Sequence, residues 1–314
     1  MTIAHRIDVH HHPSPPSYIN ARDNRNRFAT PQLQWTVNRS LEDMDRGGVA
    51  TSILSLPHPP SIWPAEKEIG RRLAREWNEY MSGMARDYPG RFGVFAAVPI
   101  FDIEGSLREV EYALDTLKAD GISLMTNIGD QWLGDPHYAP LFEELHRRKA
   151  VVYTHPHAPA CCGNIITELN DSVIEYATDT SRAIAKLLFT GSAAKFPDIR
   201  FIFSHGGGTM PYIAERFFRA HIGNPLPLKE RVPNGVLHEL KKLYYDTAQA
   251  SHPYAMGALT KLVGASQIIF GTDFPYRTAE DHVKGLAECD FTVEERQAID
   301  RGNAERLMPR WRRK

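Results

Sequence analysis

The chain has 314 residues, with 37 Lys and Arg against 38 Asp and Glu and a formal net charge of −1. That balance excludes a protein that grips nucleic acid or a membrane surface mainly by charge, because either needs a clear basic excess. Hydrophobic residues make up 42%, enough for a large packed core, and no apolar run approaches the ~18 residues of a membrane helix. The N-terminal stretch Met1 to Asp8 lacks the apolar segment of a secretory signal. Cysteines are sparse and include the adjacent Cys161 and Cys162, so no disulfide framework is expected and a reducing cytoplasm fits.

Strand-like and helix-like stretches alternate along the chain. Short apolar runs at Arg6–His11, Val49–Leu56, Phe92–Val98, Gly121–Thr126, Ala150–His155, Arg200–Ser204, Leu243–Asp246 and Gln267–Phe270 read as strands. Most are continuously apolar, the pattern of strands buried on both faces. Between them the spacing predicts helices over Leu41–Arg46, Pro64–Tyr88, Ile103–Lys118, Tyr138–Arg148, Asp171–Phe196, Pro211–Ala220, Val236–Leu240 and Tyr254–Val263. Gly47-Gly48, Pro89-Gly90 and Pro197-Asp198 stop helices just before strands. Eight strands separated by helices predict a parallel sheet closed as a (β/α)₈ barrel, with residues 1–314 forming one domain. Residues 13–38 and 156–170 each follow a strand end and read as excursions able to wall a site.

The strand ends carry the chemistry. Residues two apart on a strand share a face, so in Asp8-Val9-His10-His11-His12 the imidazoles of His10 and His12 point inward together. His155 ends the fifth strand, His205 the sixth, and Asp273 lies just past the eighth. In a barrel all five would ring the C-terminal mouth, where such enzymes place catalysis. Three imidazoles and a carboxylate suit Zn²⁺ or a similar divalent ion with room for water or substrate. His205, followed by three glycines, is the natural non-ligand and can pass a proton.

These motifs, Asp8 to His12, Thr154-His155-Pro156, Ser204-His205-Gly206-Gly207-Gly208 and Gly271-Thr272-Asp273-Phe274-Pro275, resemble the amidohydrolase superfamily. Within it the chain is similar to the branch of aminocarboxymuconate-semialdehyde decarboxylase and the non-oxidative aromatic acid decarboxylases. Pro15-Pro16-Ser17-Tyr18 and Tyr244-Tyr245-Asp246-Thr247-Ala248 bring it nearest to 6-methylsalicylate decarboxylase-type proteins. The resemblance implies His10, His12, His155 and Asp273 as metal ligands, with Zn²⁺ expected and Mn²⁺ as the alternative. It implies His205 as the histidine that handles protons, and a homodimer in which Arg216 reaches a substrate carboxylate across the interface. The bland reading of Arg216 is a surface arginine on an amphipathic helix. The stretch Ala29 to Trp35 lacks the second carboxylate-binding arginine of the aminocarboxymuconate enzyme, which favours a substrate with one carboxylate. His10 stands where the resorcylate decarboxylases carry a glutamate.

The activity this implies is loss of CO₂ from a hydroxylated aromatic acid, with no organic cofactor and with His205 or Asp273 delivering the proton. A hydrolase or hydratase acting on an ester, lactone, amide or unsaturated acid would use the same parts, and a metal-dependent scaffold or sensor is a third reading. Tyr18, Phe28, Trp35 and Trp63 are either an aromatic pocket or rim packing. His58, His157 and His252 are either substrate contacts or loop histidines. Cys161 and Cys162 bind metal or pack.

Overall fold

The computed structural model describes residues 5–20, 30–57, 66–129, 131–222 and 227–312. Eight strands lie where the apolar runs predict them: β1 (Arg6–His11), β2 (Val49–Leu54), β3 (Phe92–Ala97), β4 (Gly121–Met125), β5 (Val151–His155), β6 (Arg200–Phe203), β7 (Tyr244–Asp246) and β8 (Ile268–Ile269). They form one parallel sheet in sequence order. The sheet closes on itself. Val9 N donates to Phe270 O at 3.0 Å, Asp273 N to His10 O at 2.8 Å and His12 N to Phe274 O at 2.8 Å. The architecture is a (β/α)₈ barrel, as expected from the alternation.

One hydrophobic cluster draws side chains from strand after strand and fills the barrel: Ile7, Val9, Ile53, Phe95, Tyr153, Ile202 and Ile269 are all fully buried. Leu307, Met308 and the partly buried Trp311 pack against it from the C-terminal segment. The larger cluster lies between strands and helices. Here β1 shows a feature that simple alternation misses. Its pairing with β2 gains one residue between Asp8 and His11, a β-bulge. Below the bulge the inward residues are Ile7 and Val9, and above it they are His10 and His12. The bulge therefore lets one strand supply both the apolar filling and two adjacent inward imidazoles.

Several helices differ from their predicted spans. The predicted Asp171–Phe196 helix is a 3₁₀ turn at Asp171–Val173 followed by two α-helices, Glu175–Phe189 and Ser192–Lys195, which are separate because Gly191 adopts φ 83° and ends the first. Ile103–Lys118 is regular only to Glu111, where it loosens into a π turn. The pattern also missed a short hairpin, Asn127–Ile128 with Gln131–Trp132, and the C-terminal helices Ala279–Ala287, Val293–Gln297 and Asn303–Leu307. The hairpin is tied down by the buried Asp179, which accepts from Asn127 Nδ2 at 2.7 Å and Trp132 Nε1 at 2.6 Å. Among the described residues no helix is long and apolar enough to cross a membrane.

The closure and the bulge share one buried carboxylate. Asp8 accepts from Thr272 N at 3.0 Å and Thr272 Oγ1 at 2.8 Å beyond β8, from His10 N at 3.0 Å inside the bulge, and from His11 Nδ1 at 3.1 Å. Ser52 Oγ of β2 reaches it at 3.4 Å. Removing this carboxylate strands several buried donors at once, each costing ~1–3 kcal/mol. Asp8→Ala is therefore expected to lose at least about 3 kcal/mol of stability in urea denaturation. A loss within about 0.5 kcal/mol, the size of an ordinary surface change, would show that closure does not depend on it.

Candidate metal centre

The inward residues of β1 meet the ends of β5 and β8 at the C-terminal mouth. His10 Nε2 and His12 Nε2 face each other at 2.9 Å. Asp273 Oδ1 lies 3.1 Å from the first and 3.2 Å from the second. The His155 ring stands 5.3 Å from that of His10 and 4.9 Å from that of His12. All four residues are buried, and one donor atom from each lies within 4.8 Å of the others, a grouping able to hold a metal ion.

The hydrogen bonds behind these groups test whether a cation fits. His12 Nδ1 is 2.8 Å from Ser55 O, and a carbonyl can only accept, so His12 carries its proton on Nδ1 and turns the Nε2 lone pair inward. His10 Nδ1 donates to the buried Asp246 Oδ2 at 2.7 Å, which aims its Nε2 inward in the same way. Two lone pairs and an anionic oxygen thus converge within 3.2 Å in a place without bulk water. Such a donor set is stable only around a positive charge, and the residues present suit a divalent ion.

The titration behaviour says the same. Burial opposes a charged His10, but Asp246 and Asp273 outweigh it and raise its pKa to about 10. Burial would raise Asp273, but His10, His12 and His205 hold its carboxyl well below the usual carboxylate range. His155 is pushed well below the ordinary imidazole value by burial and by the neighbouring His12, His10 and His205. Among the protein groups alone, a proton on His10 supplies the positive charge the cluster demands.

His205 stands at the edge of this group. Its Nε2 lies 3.5 Å from Asp273 Oδ2, and its backbone N–H donates to Asp246 Oδ1 at 2.8 Å. Both His205 and Asp273 are left-handed, at φ 54° and 62°, conformations that cost a non-glycine residue ~1–3 kcal/mol and cluster at functional sites. The glycines after His205 permit close approach. A Cβ on Gly208 would lie 2.0 Å from Ala177 O, so this turn packs backbone to backbone on the helix Glu175–Phe189.

The remaining expected residues divide. His11 turns away from the barrel interior, stacks on Phe274 at 4.7 Å and bonds Ser40 Oγ at 2.9 Å. Tyr18 and Trp35 are buried packing groups. The Tyr18 ring meets Trp77 edge-on at 4.9 Å, and Trp35 Nε1 donates to Ser40 Oγ at 2.9 Å. His157 is bound to the backbone O of Asn127 at 3.1 Å. His252 caps the helix Pro253–Val263, so both are loop-supporting histidines. Cys161 and Cys162 are not members of the ligand group. Arg216 is exposed on the short helix Ala214–Phe218. His58, Phe28 and Trp63 lie outside the described residues.

Sequence reasoning missed three groups. Asp246 supports both His10 and His205. It stands in the Tyr-Tyr-Asp-Thr-Ala motif at the end of β7, and its position as a strand-end carboxylate was the available signal. Tyr176 and Tyr276 each set a ring 6.3 Å from an imidazole of the candidate metal group, His155 and His12 respectively. Burial pushes the Tyr176 hydroxyl up to about 12 and the Tyr276 hydroxyl higher still, so both remain neutral. Nothing in their local sequence marks them.

Asp246→Asn keeps the shape but can present an amide N–H to His10 Nδ1, driving the imidazole proton onto the inward nitrogen. Affinity for Zn²⁺, measured by chelator competition, is expected to fall about 10–100-fold. Unchanged affinity would remove Asp246 from the support of the centre.

Comparison with known proteins shows the family and the fold. The amidohydrolase family model matches residues 7–310. The decarboxylase yanB of Aspergillus niger is 36% identical over 98% of this chain and 88% of its own length. The 6-methylsalicylic acid decarboxylase of Penicillium expansum is 33% identical over 97% and 96%. The structure of a dihydroxybenzoic acid decarboxylase from Polaromonas sp. JS666, with bound manganese and 2-nitroresorcinol, superimposes with a TM-score of 0.86. It covers 99% of this chain and 98% of that one at 21% identity, a likeness of fold. With a barrel closed at Asp8, ligand-type residues at its strand ends and this family match over nearly its whole length, the chain belongs to the amidohydrolase family.

Proposed function

We propose that the protein is a metal-dependent, non-oxidative decarboxylase of a hydroxylated aromatic carboxylic acid of the 6-methylsalicylate type. The observation that carries this reading is the buried group of His10, His12, His155 and Asp273, with His205 at its edge and two neutral tyrosines against its imidazoles. Relatives that carry decarboxylase names at 33% and 36% identity over nearly the full chain support it. In this reading residues 1–314 act as one barrel domain in a reducing cytoplasm, which the sparse cysteines support. Zn²⁺ suits three imidazoles and a carboxylate, and Mn²⁺ is the ion of the Polaromonas protein.

His10, His12, His155 and Asp273 would hold a divalent ion, which would supply Lewis acidity toward the substrate's carboxylate end. Tyr176 and Tyr276 wall the ligand group and keep bulk water off it. His205 Nε2, 3.5 Å from Asp273 Oδ2 at the edge of the group, is the proton-handling atom. A proton passes from it to the ring carbon that bears the carboxylate. The carbon–carbon bond then breaks, its electron pair restores the aromatic ring, and CO₂ leaves.

The proposal includes a homodimer in which Arg216 of a second copy meets the substrate carboxylate. Arg216 is exposed eleven residues beyond His205, and Tyr212 and Ile222, 91% and 56% exposed, leave apolar surface on either side of it. Arg216→Ala is expected to raise KM about 10-fold or more, with the dimer seen by light scattering retained. An unchanged KM would return Arg216 to the surface.

The reading is tested on metal-quantified protein offered salicylate, 6-methylsalicylate, dihydroxybenzoates and a few aryl esters and lactones. Chelator-sensitive CO₂ release is expected. Metal-dependent addition of water without CO₂ would replace the decarboxylase with a hydrolase or hydratase. His205→Ala should remain folded and metal-loaded yet at least about 100-fold slower, whereas Asp273→Ala should lose metal as well as rate. Full metal occupancy in the latter would break the ligand assignment.

A further inference from the structure

Gln249 belongs to neither the ligand group nor the residues that sequence reasoning singled out. It stands three residues past β7, in a turn that Ala250 N closes onto Thr247 O at 3.0 Å. The turn is clamped from two sides. Asp246 Oδ1 accepts from Ala248 N at 3.0 Å, and Thr247 Oγ1 exchanges hydrogen bonds with Gly271 N and Gly271 O of the neighbouring strand end, both at 3.0 Å. Within it Gln249 is held left-handed at φ 54°. Although the residue lies on the exposed rim, its side chain turns back to the buried carboxylate: Gln249 Nε2 donates to Asp273 Oδ2 at 2.9 Å.

The two oxygens of Asp273 consequently have separate surroundings. Oδ1 faces the imidazoles of His10 and His12 at 3.1 and 3.2 Å. Oδ2 takes the Gln249 amide at 2.9 Å, while His205 Nε2 stands off at 3.5 Å, beyond ordinary hydrogen-bond length. The terminal torsion of an aspartate is broad and nearly two-fold, so its own rotamer does not fix where Oδ1 points. Holding the outer oxygen does. A long, exposed glutamine loses rotamer entropy when it is held in this way, and a left-handed non-glycine backbone adds strain. Both costs fall on the residue whose amide reaches Asp273.

We propose that Gln249 is a positioning residue that keeps Asp273 Oδ1 turned into the metal-binding group. By occupying Oδ2 it also leaves His205 Nε2 available to the substrate, and this second clause rests on the function proposed above. Two variants of the full chain separate this role from a merely structural one. Gln249→Gly removes the amide and relieves the left-handed strain. Gln249→Glu keeps the length, removes the donor and sets a negative charge against Asp273. Zn²⁺ affinity is read by chelator competition without any substrate, alongside the thermal midpoint of the metal-free chain. Both variants are expected to bind Zn²⁺ about 10-fold more weakly or worse, Glu more than Gly, while the metal-free Gly variant melts at or above the wild-type temperature. Affinity within about twofold of wild type in both variants would overturn the proposal. So would a weakened affinity in Gly that comes with a lowered melting temperature, since that is the mark of a turn residue. Because no substrate enters this measurement, an error in the substrate class leaves its outcome untouched.

Discussion

Two imidazole lone pairs and a carboxylate oxygen meet within 3.2 Å of one another, out of contact with bulk water. Electrostatics forbids that arrangement unless a positive charge sits in it. The rest of the molecule supplies the restraint that keeps the groups there. Asp246 and the Ser55 carbonyl hold the outward Nδ1–H of each histidine, so both Nε2 atoms face the centre, where a bound cation or a proton on His10 meets them. Tyr153 closes the group from below, its ring 5.2 Å from that of His10 and stacked on Phe95 at 5.5 Å. Apolar packing and charge are thus opposed within one barrel: the lower interior is filled with Ile, Val and Phe, and directly above it lies a cluster that only a cation relieves.

This opposition has a backbone cause. A regular strand would send alternate residues inward throughout, and β1 could not then place Ile7 and Val9 in the apolar interior and His10 and His12 above them. The extra residue between Asp8 and His11 changes the parity. The same Asp8 that accepts the bulge's His10 N–H also accepts from Thr272, so the geometry of the first pair of candidate ligands and the closure of the barrel share one anchor.

The strain at the mouth follows a similar logic. His205, Gln249 and Asp273 are all left-handed, and all lie just beyond strand ends. A chain leaving a strand normally continues away from the barrel axis. Turning it left-handed brings the next side chain back over the mouth, at an energetic cost that the buried hydrogen bonds of Asp246, Thr247 and Thr272 offset. Glycine would relieve the strain but carries no imidazole, amide or carboxylate.

Much of this was legible in the amino-acid order. Continuous apolar runs of strand length, separated by helical spacing, determine a buried parallel sheet, and their number determines a barrel. Histidines and an aspartate at successive strand ends must then share one mouth, because parallel strands all end on the same side. The last two C-terminal helices, Val293–Gln297 and Asn303–Leu307, were not legible, since each is only five residues long and π geometry at Ala298–Gly302 separates them. Tyr176, Tyr276 and Gln249 were not legible either. Each is an ordinary residue locally, and its meaning lies in contacts with groups tens to hundreds of positions away. By itself the sequence determined which strand ends carry donor groups. Only the tertiary structure decided which nitrogen faces the centre, which oxygen of Asp273 is held, and which neighbours hold them, because proton placement and side-chain torsion are set by through-space partners rather than by local pattern.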